Sequence, residues 1–415
     1  MQMNQTPSSE RIHIGFFGRR NAGKSSVLNA VTGQNLSIVS DIRGTTTDPV
    51  QKAMELLPLG PVVVIDTPGI DDEGELGTLR VKKSYQVLNK TDIAVLVTDS
   101  TVGLTPQDLA LMEKIEAKKI PCIVAFNKCD LAPSDVIAAN KELLRSRQIP
   151  FETVSTVTKD GIHELKERLA HLGKTPENKL RIVGDLISPN DFIVLVVPID
   201  SAAPKGRLIL PQQQTIRDIL ESEAVSVVVK ENYLKETLAS LGKKPKLVIT
   251  DSQAFAEVSA VTPNDMMLTS FSILFARYKG NLETVVNGVT ALNQIENGDK
   301  ILISEGCTHH RQCDDIGSVK LPRWIREYTK KEPEFVFSSG TEFPDDLSPY
   351  KLIVHCGGCM LNEREMKYRL ACAADQNIPI TNYGILIAYM NGILKRSLEP
   401  FPAIAKLLAD DTKPV

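Results

Sequence analysis

The sequence predicts an α/β protein built as three α/β domains, and three observations carry that prediction. Short runs rich in valine and isoleucine recur along the chain and alternate with stretches of helical period. That is the pattern of strands joined by crossover helices into parallel sheets. The first such run opens into a glycine-rich turn and then a helix, as in a doubly wound, mainly parallel sheet that binds phosphate. Late in the chain a cysteine pair directly follows another apolar run, where open α/β sheets place their sites. The predicted divisions are residues 8–174, 180–262 and 263–405.

Bulk properties narrow the classes. At 415 residues the chain has room for about two to four domains. Net charge is −3 and the pI about 6.1, so no global basic field points to nucleic acid. Met1 to Arg11 is polar and lacks the apolar core of a signal peptide. No apolar stretch approaches the roughly 20 residues that span a bilayer, Phe192 to Pro198 being far too short. The expectation is a cytoplasmic protein with no membrane partner. Seven cysteines, an odd number, argue against a disulfide framework and for thiols or metal ligands. Cys122, Cys129 and Cys372 read as inert thiols, while Cys307, Cys313, Cys356 and Cys359 cluster late in the chain.

The strand Ile12 to Phe17 leads into Gly18-Arg19-Arg20-Asn21-Ala22-Gly23-Lys24-Ser25, with Ser26 behind it. G-x-x-x-x-G-K-S between strand and helix is a P-loop: its backbone N–H groups turn inward to phosphate, Lys24 reaches the outer phosphates and Ser25 ligates Mg²⁺. A second strand, Val62 to Ile65, ends in Asp66-Thr67-Pro68-Gly69. Asp66 is expected to hold Mg²⁺ through its water shell, and the Gly69 N–H to sense the γ-phosphate. Between them Gly44-Thr45-Thr46-Thr47-Asp48 offers a further hydroxyl ligand.

The base is chosen by Asn127-Lys128-Cys129-Asp130, after the strand Cys122 to Phe126. The Asp130 carboxylate can accept two hydrogen bonds from guanine that adenine does not offer, each worth about 1.5–3 kcal/mol. Ser155-Thr156 would close over the base. These motifs resemble those of TrmE/Era-type GTPases. The resemblance selects Thr46 as the switch threonine on Mg²⁺ and Asn21 as a K⁺ ligand, K⁺ standing in for an arginine finger. Ile70 occupies the place of the water-orienting glutamine of Ras-like proteins. Lys24, Thr46 and Gly69 are the expected catalytic residues for GTP hydrolysis.

Residues 180–262 carry three strand-like runs: Phe192 to Pro198, Ala224 to Val229 and Leu247 to Thr250. Helical patterns over Pro211–Ser222 and Asn232–Leu241 separate them. Pro204-Lys205-Gly206-Arg207 reads as a turn, and Lys230, Lys235, Lys243, Lys244 and Lys246 as a solvated face. A small sheet with free edges invites pairing with a second copy, so a dimerisation module and a homodimer are expected.

In the last third, helices over Thr269–Lys279 and Leu282–Ile295 precede strands at Lys300–Ser304, Phe335–Ser338, Leu352–His355 and Ile378–Thr381. Cys307-Thr308-His309 follows the first of these strands and Cys356-Gly357-Gly358-Cys359 the third. In a parallel sheet both loops leave from one edge and can converge. Thiolates select iron–sulfur clusters or zinc; zinc would be completed by Cys313 or a histidine, and composition does not choose.

C-x-H followed by H-C-x-x-C behind such a G domain resembles the [FeFe]-hydrogenase maturation GTPases, and the resemblance covers essentially the whole chain. It implies that Cys307, Cys356 and Cys359 ligate a [4Fe–4S] cluster. His309 and His355 then stand as candidates for the fourth ligand or as residues shaping the pocket, and Cys313 lies outside the motif. It also implies a transient di-iron precursor as cargo, with two radical-SAM maturases and the apo-hydrogenase as partners. The competing expectation is a ribosome- or tRNA-associated GTPase with a structural zinc.

Overall fold

The computed structural model describes residues 6–34, 49–71, 74–132, 136–173, 180–199, 208–306, 315–340 and 342–408. Thr46, Cys307, His309, Cys313 and the turn Pro204–Arg207 lie outside those residues. The chain divides into two compact units, Met1–Glu177 and Asn178–Val415.

The first unit is one six-stranded sheet. Its strands are β1 (Ile12–Phe17), β2 (Val50–Leu56), β3 (Gly60–Asp66), β4 (Ile93–Asp99), β5 (Cys122–Asn127) and β6 (Phe151–Thr153). They lie in the order β2-β3-β1-β4-β5-β6, and only β2 runs antiparallel to its neighbour. Helices α1 (Lys24–Thr32), α2 (Gly74–Leu88), α3 (Pro106–Ala117), α4 (Ala138–Ser146) and α5 (Ile162–Leu172) complete it. Two cores form on opposite faces: Val62 and Val64 belong to one, Val63 and Ile65 to the other. Burial on both faces explains why these strands read as unbroken apolar runs rather than alternating ones. The strands beside β1 continue the chain in opposite directions, which makes its carboxyl end a topological switch point. The P-loop leaves there.

The second unit holds two four-stranded parallel sheets over a common core. The first has β7 (Phe192–Val196), β8 (Val225–Val229), β9 (Leu247–Thr250) and β10 (Met267–Ser270) in the order β10-β9-β7-β8. Helices α6 (Leu210–Glu221), α7 (Leu234–Ser240), α8 (Phe255–Val261) and α9 (Phe271–Lys279) accompany it. The second has β11 (Lys300–Glu305), β12 (Glu334–Ser339), β13 (Tyr350–His355) and β14 (Ile380–Asn382) in the order β12-β11-β13-β14. Around it lie α10 (Leu282–Val289), α11 (Leu321–Thr329), α12 (Glu363–Asp375) and α13 (Tyr383–Met390). The backbone of α10 lies against β14 so closely that a Cβ on Gly288 would stand 2.1 Å from the Ile380 carbonyl oxygen.

Two sequence expectations are corrected. The middle sheet has four strands, not three: Met267–Ser270 pairs with Leu247–Thr250, and the helix expected from Thr269 begins at Phe271. The Ser270 side chain caps that helix by accepting from the Ile273 N–H. Four strand residues running straight into an apolar helix leave no change of period to read. The helix expected to reach Ile295 stops at Val289 and continues as a 3₁₀ turn over Thr290–Gln294. Among the described residues no helix is long and apolar enough to cross a membrane.

Candidate functional site

In the first unit the P-loop wraps the start of α1. Gly18 and Gly23 sit at φ +143 and +90, and a Cβ on either would meet a neighbour at 2.1 or 2.2 Å, the Val97 carbonyl or the Asn127 amide. Only glycine fits such positions. Asn127 donates its Nδ2 proton to the Ala22 carbonyl at 3.0 Å and so braces the loop from β5. Lys24 is buried and donates to the Arg19 carbonyl at 2.9 Å.

Asp66, at the end of β3, accepts from the Ser25 hydroxyl at 2.5 Å, so the two expected Mg²⁺ residues already touch. Its other oxygen, Oδ1, is buried with no hydrogen-bond partner. Burial raises the Asp66 pKa; the Ser25 hydrogen bond and the Lys24 charge pull the other way without cancelling it. A buried carboxylate oxygen lacking a partner beside a hydroxyl is a donor set that fits a hard divalent cation.

A cleft of about 470 Å³ brings together Asn21, Lys24, Ser25, Ser26, Lys128, Asp130 and Thr156. The phosphate loop, the base-reading loop and the 155–156 loop thus share one cleft. Ser155 turns elsewhere: its hydroxyl oxygen accepts from the Val157 and Thr158 N–H groups at 3.2 and 3.1 Å and shapes its own loop. Gly69 packs on the P-loop, where a Cβ would stand 3.0 Å from the Arg20 nitrogen. Three further acids belong here. Asp99 at the end of β4 pairs with Lys128 at 2.5 Å; burial would raise its carboxyl, but the Lys128 and Thr101 hydrogen bonds hold it low. Asp71 accepts from the Arg20 N–H at 2.6 Å. Buried Asp108 lies 3.6 Å from Arg19 while capping α3 with Thr105. Asp99 had a legible signal, an acid closing an apolar strand beside the N-K-x-D loop; Asp71 and Asp108 had none.

In the second unit β11 and β13 are parallel neighbours, with Ser304 opposite His355. The chain passes from β11 to β12 on one side and returns to β13 on the other, again a switch point. The Cys356 N–H donates to the Ser304 carbonyl at 2.9 Å. The Cys356 sulfur accepts N–H groups from Gly306 at 3.0 Å and Gly358 at 3.4 Å. Residues next to Cys307 and Cys359 therefore meet at one sulfur, a thiolate cradle of the kind that suits a soft metal centre. In the thiol form burial pushes Cys356 up to about 11, and burial also raises Cys359. Among the described residues no group of three His, Cys, Asp or Glu side chains surrounds a metal-sized space.

Beneath the loop lies a buried network that sequence reasoning missed. Arg369 on α12 is fully buried; it donates to Glu365 at 3.0 Å, Ser304 Oγ at 3.2 Å and the Gly340 carbonyl at 2.7 Å. It also faces His355 Nε2 at 2.9 Å, while His355 Nδ1 lies 2.7 Å from the Cys356 carbonyl. Both ring nitrogens of His355 are thus engaged. Burial first, then the Arg369 charge, lowers its pKa to about 3, so the ring is neutral, with Nδ1 donating and Nε2 accepting. Tyr383 donates at 3.3 Å to buried Glu305, the residue before Gly306 in sequence.

The first unit is a P-loop GTPase domain, and a family model described as "50S ribosome-binding GTPase" matches residues 13–128. Residues 182–280 match "Hydrogen maturase F dimerization domain" and 283–400 match "Hydrogen maturase F tetramerization domain", together over half of the chain. The chain belongs to the hydrogen maturase F family. Among curated relatives, the tRNA modification GTPase MnmE of Chromobacterium violaceum is 32% identical over 164 residues, 39% of this chain and 35% of its own. GTPase Der of Nitratiruptor is 33% identical over 154 residues, 36% of this chain and 33% of its own. The chain spans about a third of the length of these relatives. Among solved structures, the G domain of the Thermotoga maritima FeoB iron transporter is 26% identical, with TM-score 0.31, covering 40% of this chain and 100% of its own. Aquifex aeolicus Era is 20% identical, with TM-score 0.35, over 55% and 98%.

Two outcomes are expected from this geometry. Arg369→Met strands the buried Glu365 carboxylate and should destabilise the second unit by about 3–5 kcal/mol. The only tryptophan, Trp324, lies in α11 of that unit, so urea unfolding followed by its fluorescence reads the change directly. A loss below about 1 kcal/mol would mean that water already compensates the charge. Asp66 has a raised folded pKa, so its favourable contribution is present under acid conditions and is lost as pH rises through the carboxylate range. Asp66→Asn should therefore leave the nucleotide-free protein at least as stable as the parent at neutral pH and lessen its gain on mild acidification. Thermal unfolding at the two pH values checks this, and a variant destabilised at neutral pH overturns it.

Proposed function

We propose that this chain is the GTPase scaffold of [FeFe]-hydrogenase maturation: it binds a [4Fe–4S] cluster and carries a di-iron precursor to the apo-hydrogenase. The observation that carries the reading is the Cys356 sulfur, held by N–H groups from both loops at the β11/β13 switch point. Cys307, next to Gly306 in sequence, would join Cys356 and Cys359 as ligands. When bound, the cluster would supply soft, sulfur-rich iron chemistry. His355, with both ring nitrogens engaged, orients the turn, and the fourth position is left to His309, Cys313 or an exchangeable group.

In the GTPase domain Ser25, Thr46 and Asp66 would serve Mg²⁺, and Asn21 a K⁺ ion. Lys24 and the Gly69 N–H would meet the γ-phosphate, and Asp130 the guanine. GTP binding and hydrolysis would set the exchange of two radical-SAM maturases and the hydrogenase through the loops at Thr46 and Gly69. The dimerisation sheet would pair through its β8 edge, where Val225 and Val228 are 38% and 47% exposed. Thiolate ligands of this kind suit the reducing cytoplasm.

Iron, sulfide and zinc content after anaerobic purification tests the reading, with paramagnetic resonance of the reduced protein. About four irons and four sulfides per chain are expected, lost in Cys356→Ser while GTP hydrolysis persists. One zinc without sulfide would overturn the cluster assignment. Turnover should also be faster in K⁺ than in Na⁺; equal rates, or an Asn21→Ala variant that keeps the K⁺ response, would remove the ion from Asn21.

A further inference from the structure

Lys279 closes α9, the helix that grows out of β10 in the dimerisation sheet, yet its ammonium lies in the second sheet's cysteine turn. It is 2% exposed and donates to the carbonyls of Cys359 at 3.2 Å and Leu361 at 3.1 Å. The Leu361 side chain in turn packs on Gly306, where a Cβ would stand 2.7 Å from its Cγ, and the Gly306 N–H reaches the Cys356 sulfur. One buried cation thus holds the far end of the C-x-x-C turn and, through Leu361, the residue that cradles the near cysteine. Neither motif contains Lys279, and nothing in its local sequence marks it.

We propose that Lys279 is the positioning residue of the cysteine turn: its hydrogen bonds to the Cys359 and Leu361 carbonyls fix the Cys359–Leu361 backbone against Gly306, and its positive charge offsets an anionic thiolate-bound centre. The second half rests on the cluster reading above; the first half does not. Bonds from a charged donor to two carbonyls make an ordered turn, and a buried positive charge beside a cluster favours its reduced, more negative state. Because α9 starts at β10, the same contact makes the geometry of the turn depend on the dimerisation sheet.

The test uses the full chain, reconstituted anaerobically with iron and sulfide, as the parent and as Lys279→Met, Lys279→Gln and Lys279→Arg. In Lys279→Met the amides of residues 356–361 should exchange with solvent roughly tenfold faster than in the parent, and iron should be lost to a chelator roughly tenfold faster. The reduction potential should move to more negative values, and Lys279→Arg should restore most of each change. Lys279→Gln keeps a donor without the charge, so it should recover exchange protection but not the potential. If Lys279→Met does not fold, the comparison of Lys279→Gln with the parent still reads the charge, and equal potentials would overturn that part. Unchanged amide exchange in folded Lys279→Met overturns the positioning role. A parent that takes up no iron and sulfide would defeat the cluster reading and the charge-offset half with it. Amide exchange would then decide the positioning half alone.

Discussion

A single buried guanidinium holds together the part of the molecule on which the cysteine turn depends. Arg369 reaches Ser304 at the end of β11, His355 at the end of β13 and the Gly340 carbonyl just beyond β12. The fork of Arg369 satisfies them together, and Glu365 one turn back on α12 supplies the countercharge. An arginine suits this place better than a lysine because its planar donors can address several acceptors at fixed angles. The edge it organises is the one from which both cysteine loops depart.

Two acids, one in each unit, meet the problem of buried charge in opposite ways. In the second unit Arg369 and Glu365 answer each other, so the network is satisfied as it stands. In the GTPase domain Asp66 keeps one buried oxygen without a partner, and its carboxyl is raised accordingly. A partly unsatisfied acid in a nucleotide cleft is an arrangement that a bound cation completes, while a satisfied pair beneath a loop serves to fix geometry. The difference separates a partly unsatisfied acid in the GTPase cleft from a satisfied pair that fixes the geometry of a loop.

Much of this was legible in the sequence. The P-loop, the D-T-P-G turn and the N-K-x-D box are local: each needs one strand end and a few consecutive residues, and each sits where the sheet order requires. The eight strands of the two unit-2 sheets were legible except for β10, whose four residues run without a change of period into α9. The cysteine loops were legible as sequence neighbours of two strands, and Gly306 meets the Cys356 sulfur because those strands are parallel and adjacent. The residues that serve the motifs from a distance were hidden. Asp71, Asp108, Lys279 and Arg369 lie outside every motif and look like ordinary helix or loop charges until the fold buries the last three and sets Asp71 against the P-loop backbone.

The sequence by itself determined the fold class, the nucleotide-binding motifs and the positions of the thiols, because those properties reside in local period and in spacing along one chain segment. Tertiary structure alone decided that His355 is held neutral between Arg369 and the Cys356 carbonyl, that Lys279 secures the C-x-x-C turn, and that Asp66 keeps an unanswered oxygen. Burial and partner distance set the charge and orientation of a side chain, and neither is a property of neighbouring letters.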